Sequence, residues 1–182
     1  MRWISFAIVL YAAAVFQSAA APYLSLYSVR PNLLVVLAVF YALEARRDDA
    51  MLACWMIGLV MDLTGLSYVH HGVSNVGLCA LGLGLMSVVI VKLRELTFRE
   101  SVWSQLFFCF AAQAALFALI ALHMAYALHT WEHFGRVVRW GLYAAVYTAV
   151  VAPYGHWVLR QFRGTLGVGA GRFGGSYSSG LR

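Results

Sequence analysis

Six stretches of the chain are apolar almost throughout: Trp3–Ala21, Pro31–Ala45, Met51–Leu66, Gly72–Val91, Val102–Leu128 and Val137–Leu159. Runs of this kind predict membrane-crossing helices. A perpendicular helix needs about 20 residues to cross the hydrocarbon, so the second and third runs are short. Thinned bilayer, snorkelling ends or a partly re-entrant course could accommodate them. Clear stops favour spans: Arg30-Pro31 precedes the second run and EARRDD separates it from the third. Pro31 suits a first helical position, where its missing N–H would have no partner anyway. The pattern predicts an all-α integral membrane protein, a compact bundle of about six transmembrane helices over residues 1–163. A Gly/Ser-rich stretch from Gly164 to Arg182 with no apolar period predicts a disordered cytoplasmic tail.

Composition agrees with the pattern. Of 182 residues, 63% are hydrophobic and only 11% charged, against about 25% charged in a soluble domain. The excess of thirteen Lys/Arg over seven Asp/Glu does not indicate nucleic-acid binding, because the basic residues fall between apolar runs and act as topology signals. With a cytoplasmic N-terminus, ten of them (Arg2, Arg46, Arg47, Lys92, Arg94, Arg99, Arg160, Arg163, Arg172, Arg182) lie inside and three (Arg30, Arg136, Arg139) outside. Both termini are therefore expected in the cytoplasm, on a multi-pass membrane protein. The opening MRWISFAIVLYAAAVFQSAAAP ends in small residues like a signal peptide, but its single arginine and long apolar run favour a retained helix. Cys54, Cys79 and Cys109 have no paired spacing and read as small buried hydrophobes.

A charge inside an apolar run needs a partner or a watery niche, and Asp62 is the one acid so placed. In this topology it lies about one turn below the outer end of the third helix. Arg30, Pro31 and Asn32 open the second helix at that depth, His71, Gly72 and Asn75 the fourth, and Gln17 closes the first. The convergence predicts that Asp62 pairs with Arg30, with Asn32 or Asn75 completing its hydrogen bonds. Such a cluster could be a clamp tying three helices, a partner-binding surface, or a small-molecule or ion site. Gly58, Asp62 and Gly65 share one face of the third helix, and Gly77, Ala80, Gly84 and Ser87 one face of the fourth, which predicts close packing.

Catalytic patterns are weak. HTWEH places His129 and His133 one turn apart with Glu132 between them, but the acid is misplaced for a His-Glu-x-x-His metalloprotease, and the stretch lies in an outer loop where such residues anchor at the interface. Neither a nucleophile elbow nor a phosphate loop is present. No catalytic residue, metal or cofactor is expected. The charged groups Lys92, Arg94, Glu95, Arg99, Glu100 and Glu44–Asp49 read as solvated membrane-edge loops, or as contacts for a cytoplasmic protein or anionic lipid.

From Arg30 to about Leu85, the segments RPNLLVVLAVFYAL, EARRDDA, GLVMDL, TGLSYVHHG and VSNVGLCALGLGL resemble the rod shape-determining MreD family of bacterial membrane proteins. That family's pattern is Arg-Pro-Asp-Leu opening a leucine-rich helix, a short charged loop, Gly-Leu-x-x-Asp-Leu, a Gly-containing turn and a Gly-rich helix. Asn32 departs from the usual acid, leaving Asp62 as the partner for Arg30. The resemblance covers about a third of the chain in detail. It implies a non-enzymatic scaffold of the cell-elongation complex that binds MreC and, through it, helps link MreB filaments to the enzymes of peptidoglycan synthesis. Membrane lipid and an MreC-like protein are the implied partners, with no nucleic acid. The family is also similar in fold to the substrate-binding subunits of energy-coupling-factor vitamin transporters. The alternative is therefore a solute-binding transporter subunit, using Gln17, Arg30, Asn32, Asp62 and Asn75 as its site and Ala14, Ser18 and Pro22 as a docking face.

Overall fold

A computed structural model of the chain describes residues 2–19, 23–25, 29–65, 77–94, 101–127, 129, 131 and 134–168. Seven helices lie among them: α1 (Trp3–Ala19), α2 (Leu33–Glu44), α3 (Arg47–Leu63), α4 (Leu78–Leu93), α5 (Val102–Ala127), α6 (Phe134–Gln161) and α7 (Arg163–Leu166). The first six follow the six apolar runs in order. By length and composition α5 alone is long and apolar enough to cross a membrane, while α1, α2 and α4 are apolar but shorter.

The centre of the bundle is its shortest long helix. α2 reads LLVVLAVFYALE, apolar up to Glu44 but for one hydroxyl, and a helix that is apolar on every side must be covered on every side. Every residue from Leu34 to Leu43 is buried, and α2 lies against α1, α3, α4, α5 and α6. The most extensive pairings around it are α5 with α6 and α3 with α4. Gly141, Ala145 and Ala149 form a buried small-residue row on α6, which lets α5 approach closely in the manner of packed membrane helices. This row is a second close-packing face, beside those expected on α3 and α4.

Twelve residues rise only about 18 Å, so α2 is too short to reach both faces of the bundle. Its flanking residues Asn32 and Ala45 are accordingly buried. The first N–H groups and last carbonyls of a helix have no partner within it. A helix that ends inside the protein must find those partners in other parts of the chain. The placement of the polar side chains follows from this requirement. Pro31 does not open the helix as expected. Asn32 is the N-cap and Leu33 the first helical residue, because an asparagine oxygen can accept an N–H where proline has nothing to offer.

The stretch expected to begin the disordered tail is ordered at its start. Leu166 of α7 and Val168 are buried, and the Arg2 N–H donates to the Leu166 carbonyl (3.2 Å). Gly167 ends the turn with φ +62°. The rest of the expected tail, residues 169–182, lies outside the described residues.

Candidate functional site

At one end of the bundle, Asp62 in the last turn of α3 points at the start of α4. Gly77 N–H (3.0 Å) and Ala80 N–H (3.0 Å) donate to its Oδ2, and Cys79 N–H (3.1 Å) to its Oδ1. Gly77 is the N-cap of α4, has φ +92° and brings no side chain of its own, so the cap is supplied by the neighbouring helix. A carboxylate is the favoured group there, because unpaired N–H donors and the positive end of the helix dipole both face it. The approach that makes this contact possible is set one turn earlier. A Cβ at Gly58 would stand 2.5 Å from both Ala80 Cα and the Cys79 carbonyl oxygen, so only glycine lets the two backbones come together.

This corrects the pairing expected from the sequence. Arg30 is exposed, and the Asp62 carboxylate faces backbone donors instead. Three short N–H contacts leave no advantage in drawing in a guanidinium that solvates better at the surface. Gly65 is also not part of the packing face. It has φ +63° and no atom near its Cβ position, two residues past the end of α3, where a left-handed residue stops a helix. His71, Gly72 and Asn75 lie outside the described residues.

The start of α2, at the same end, is capped by its own Asn32 and by two neighbouring helices. The Gln17 amide of α1 bridges it, Nε2 donating to the Pro31 carbonyl (3.0 Å) and Oε1 accepting Leu33 N–H (2.8 Å). Asn32 accepts Val35 N–H on its Oδ1 (3.3 Å), and its own N–H donates to Thr148 Oγ1 of α6 (3.0 Å). Gln17, Asn32 and Thr148 are all buried. One turn into α2, His156 Nε2 lies 3.2 Å from the Val36 carbonyl, its ring edge-on to Phe40. Gln17 and Asn32 stand out in the sequence as polar letters at one depth. Thr148 and His156 are hidden in the sixth run, and nothing local marks them.

At the opposite end Arg94 performs the converse task. Its Nη1 donates to the carbonyls of Ala42 (2.8 Å) and Ala45 (2.6 Å), closing the C-terminus of α2 with a cation on the negative end of the dipole. Arg94 is buried and is no part of a solvated loop. Close by, Glu44 pairs with Arg163 and stands 3.9 Å from Arg160, fastening the end of α6 to the end of α2. Lys92 is exposed as expected, while Glu95, Arg99 and Glu100 lie outside the described residues.

These contacts are structural. Among the described residues, the polar groups that converge on α2 and α4 hold backbone N–H and C=O groups. Two grooves on the outside are apolar: one of about 380 Å³ between α1 and α3, lined by Phe6, Leu10, Met56 and Val60, and one of about 460 Å³ between α3 and α4 beside Trp55 and Leu81. The three cysteines are buried and unlinked, with Cys54 Sγ 3.3 Å from the Ala38 carbonyl. Of HTWEH, His129 stacks on Tyr126 and Trp131 is exposed, while Glu132 and His133 lie outside the described residues. No group of three metal-ligating side chains occurs among the described residues.

No curated protein and no solved structure matches the chain. The family model described as rod shape-determining protein MreD matches residues 1–155, which takes in α1 to α5, α6 up to Gly155 and both capped ends of α2. With that match along most of its length, the chain belongs to the MreD family of rod shape-determining proteins.

Proposed function

We propose that the chain is a non-enzymatic, multi-pass scaffold of the bacterial cytoplasmic membrane, with both termini in the cytoplasm. In this role it binds an MreC-type protein and helps connect MreB filaments to peptidoglycan synthesis during cell elongation. The observation that carries this reading is the use of the polar groups at the helix ends: the buried Gln17, Asn32, Arg94 and Thr148 and the half-buried Asp62 all hold helix ends together. A frame whose helix-end polar side chains serve its own rigidity suits a protein that positions others.

The outer surface supports a membrane setting. Ile4, Ile8, Tyr11, Leu85, Val146 and Val150 are exposed, an apolar exterior that water would not tolerate but acyl chains would. On α6 the exposed Trp140 and Trp157 are about 25 Å apart along the axis, close to the hydrocarbon thickness of about 30 Å. Indoles favour the two interfaces, which supports a crossing for α6 despite its charged ends. Arg2 bonds Leu166, Arg163 pairs with Glu44 and Arg94 bonds Ala42 and Ala45, which gathers these charges at one end and supports the orientation with both termini inside.

The test is a mild-detergent pull-down of the tagged protein from its own cells, with partners identified by mass spectrometry. Recovery of an MreC-type protein with wall-elongation enzymes is expected. Recovery of a membrane coupling protein with paired ATPases would overturn the scaffold in favour of a transporter subunit.

A further inference from the structure

The two ends of the described chain meet at a corner that is richer in charge than the fold requires. At this end of the bundle the described residues include seven bases, Arg2, Arg46, Arg47, Lys92, Arg94, Arg160 and Arg163, against three acids, Glu44, Asp48 and Asp49. Arg94 is committed to the carbonyls of α2. Arg160 and Arg163 are held in place from below by Glu44 and keep 28% and 32% of their side-chain surface exposed. Arg2 joins them through α7. Its backbone N–H binds the Leu166 carbonyl, and its side-chain stem runs past Gly167. The structural contact of Arg2 is thus made by its main chain, and its guanidinium enters no ion pair among the described residues.

The surroundings of this corner are those of an interface. Trp3 and Ile4 on α1 and Trp157, Val158 and Phe162 on the α6 side are all exposed. Indoles prefer headgroup depth, and guanidiniums bind phosphate oxygens in a forked, two-point manner. A water-soluble phosphate would gain nothing from the apolar rim, whereas a phospholipid would lay its chains along it. We propose that Arg2, Arg160 and Arg163, bracketed by Trp3 and Trp157, form a binding corner for the headgroup phosphate of an anionic phospholipid in the adjoining leaflet. The proposal rests on the membrane reading above but not on any protein partner, so its failure and that of the scaffold are separately visible.

The full chain, purified in mild detergent, is titrated with phosphatidylglycerol, phosphatidylcholine or inorganic phosphate, and bound lipid is counted by native mass spectrometry. Phosphatidylglycerol should be retained in preference to phosphatidylcholine. The preference should fall about fivefold for each arginine removed in Arg2→Gln and in Arg2→Gln with Arg160→Gln. Arg136→Gln with Arg139→Gln, at the other end of α6, should leave it unchanged. Arg163 is kept because it fastens Glu44, and Arg2→Gln alone preserves every contact that the fold makes there. Equal retention of the two lipids, an unchanged preference in Arg2→Gln, or displacement of the lipid by millimolar phosphate would each overturn the proposal.

Discussion

The two ends of α2 solve the same problem with opposite chemistry. At its start, where N–H groups lack partners, the chain brings oxygen acceptors: the Gln17 amide, the Asn32 amide and the Thr148 hydroxyl. At its finish, where carbonyls lack partners, it brings the guanidinium of Arg94. The neighbouring α4 repeats the first solution with a full charge, the Asp62 carboxylate. The difference teaches that at Asp62 and Arg94 the charge sign follows the direction of the nearest helix end, whereas Glu44, at the carbonyl end of α2, is held by the opposite charge of Arg163. Asp62 and Arg94 each answer to a helix dipole.

That contrast can be tested in order of expected effect. Gly58→Ala should do the most damage, because its new Cβ meets backbone at 2.5 Å and backbone cannot rotate away. Parting α3 from α4 also pulls Asp62 off its donors, and a loss of about 3 kcal/mol or more is expected, read as a collapse of monodisperse protein in detergent gel filtration. Asp62→Ala follows, with three N–H groups left without an acceptor and a loss of about 2–3 kcal/mol in thermal or denaturant unfolding. Asp62→Asn should recover part of it, while Arg30→Gln should stay within about 0.5 kcal/mol of the parent as an exposed change. If Arg30→Gln proved as harmful as Asp62→Ala, the ion pair would be restored and the helix-end account lost.

At the far end, Arg94→Met removes a cation from two carbonyls and should cost about 1.5–3 kcal/mol. Arg94→Lys should retain part of this, since one ammonium can reach a carbonyl without the planar fork. Thr148→Val is the mildest, about 1 kcal/mol for a single neutral hydrogen bond. Its readout is the amide hydrogen exchange of Asn32, which should speed up while that of Ala80 at the start of α4 stays as it was.

The helices themselves were legible. Apolar runs and their charged stops overlap α1 to α6 in order, with bounds that differ by up to six residues at the start of α4, because the same burial that selects apolar side chains also makes the pattern. Asp62 was legible as an exception, and Gly58 as part of a small face. The identity of Asp62's partners was not, since the partners are main-chain N–H groups, and every residue but proline has one. A search of the sequence for an opposite charge therefore turns to Arg30. Arg94 is a similar case: it sits within two residues of Lys92 and Glu95 and looks like one of a solvated group until its contacts with Ala42 and Ala45 are seen. Thr148 is hidden because a hydroxyl in an apolar run is common, and its role depends on a residue far away in sequence.

That separation also sets an order of assembly. The N–H of Asn32 meets its acceptor 116 residues later, and the Val36 carbonyl meets His156 after 120. At ordinary rates of synthesis these later residues emerge from the ribosome roughly 10 seconds after α2 does. Until then the most apolar segment of the chain has neither its full cover nor all of its caps. α2 therefore cannot reach its final state by entering the membrane alone. It is held open by the first helices and closed by the last, so a chain truncated before α6 would leave its central segment as a target for quality-control proteolysis.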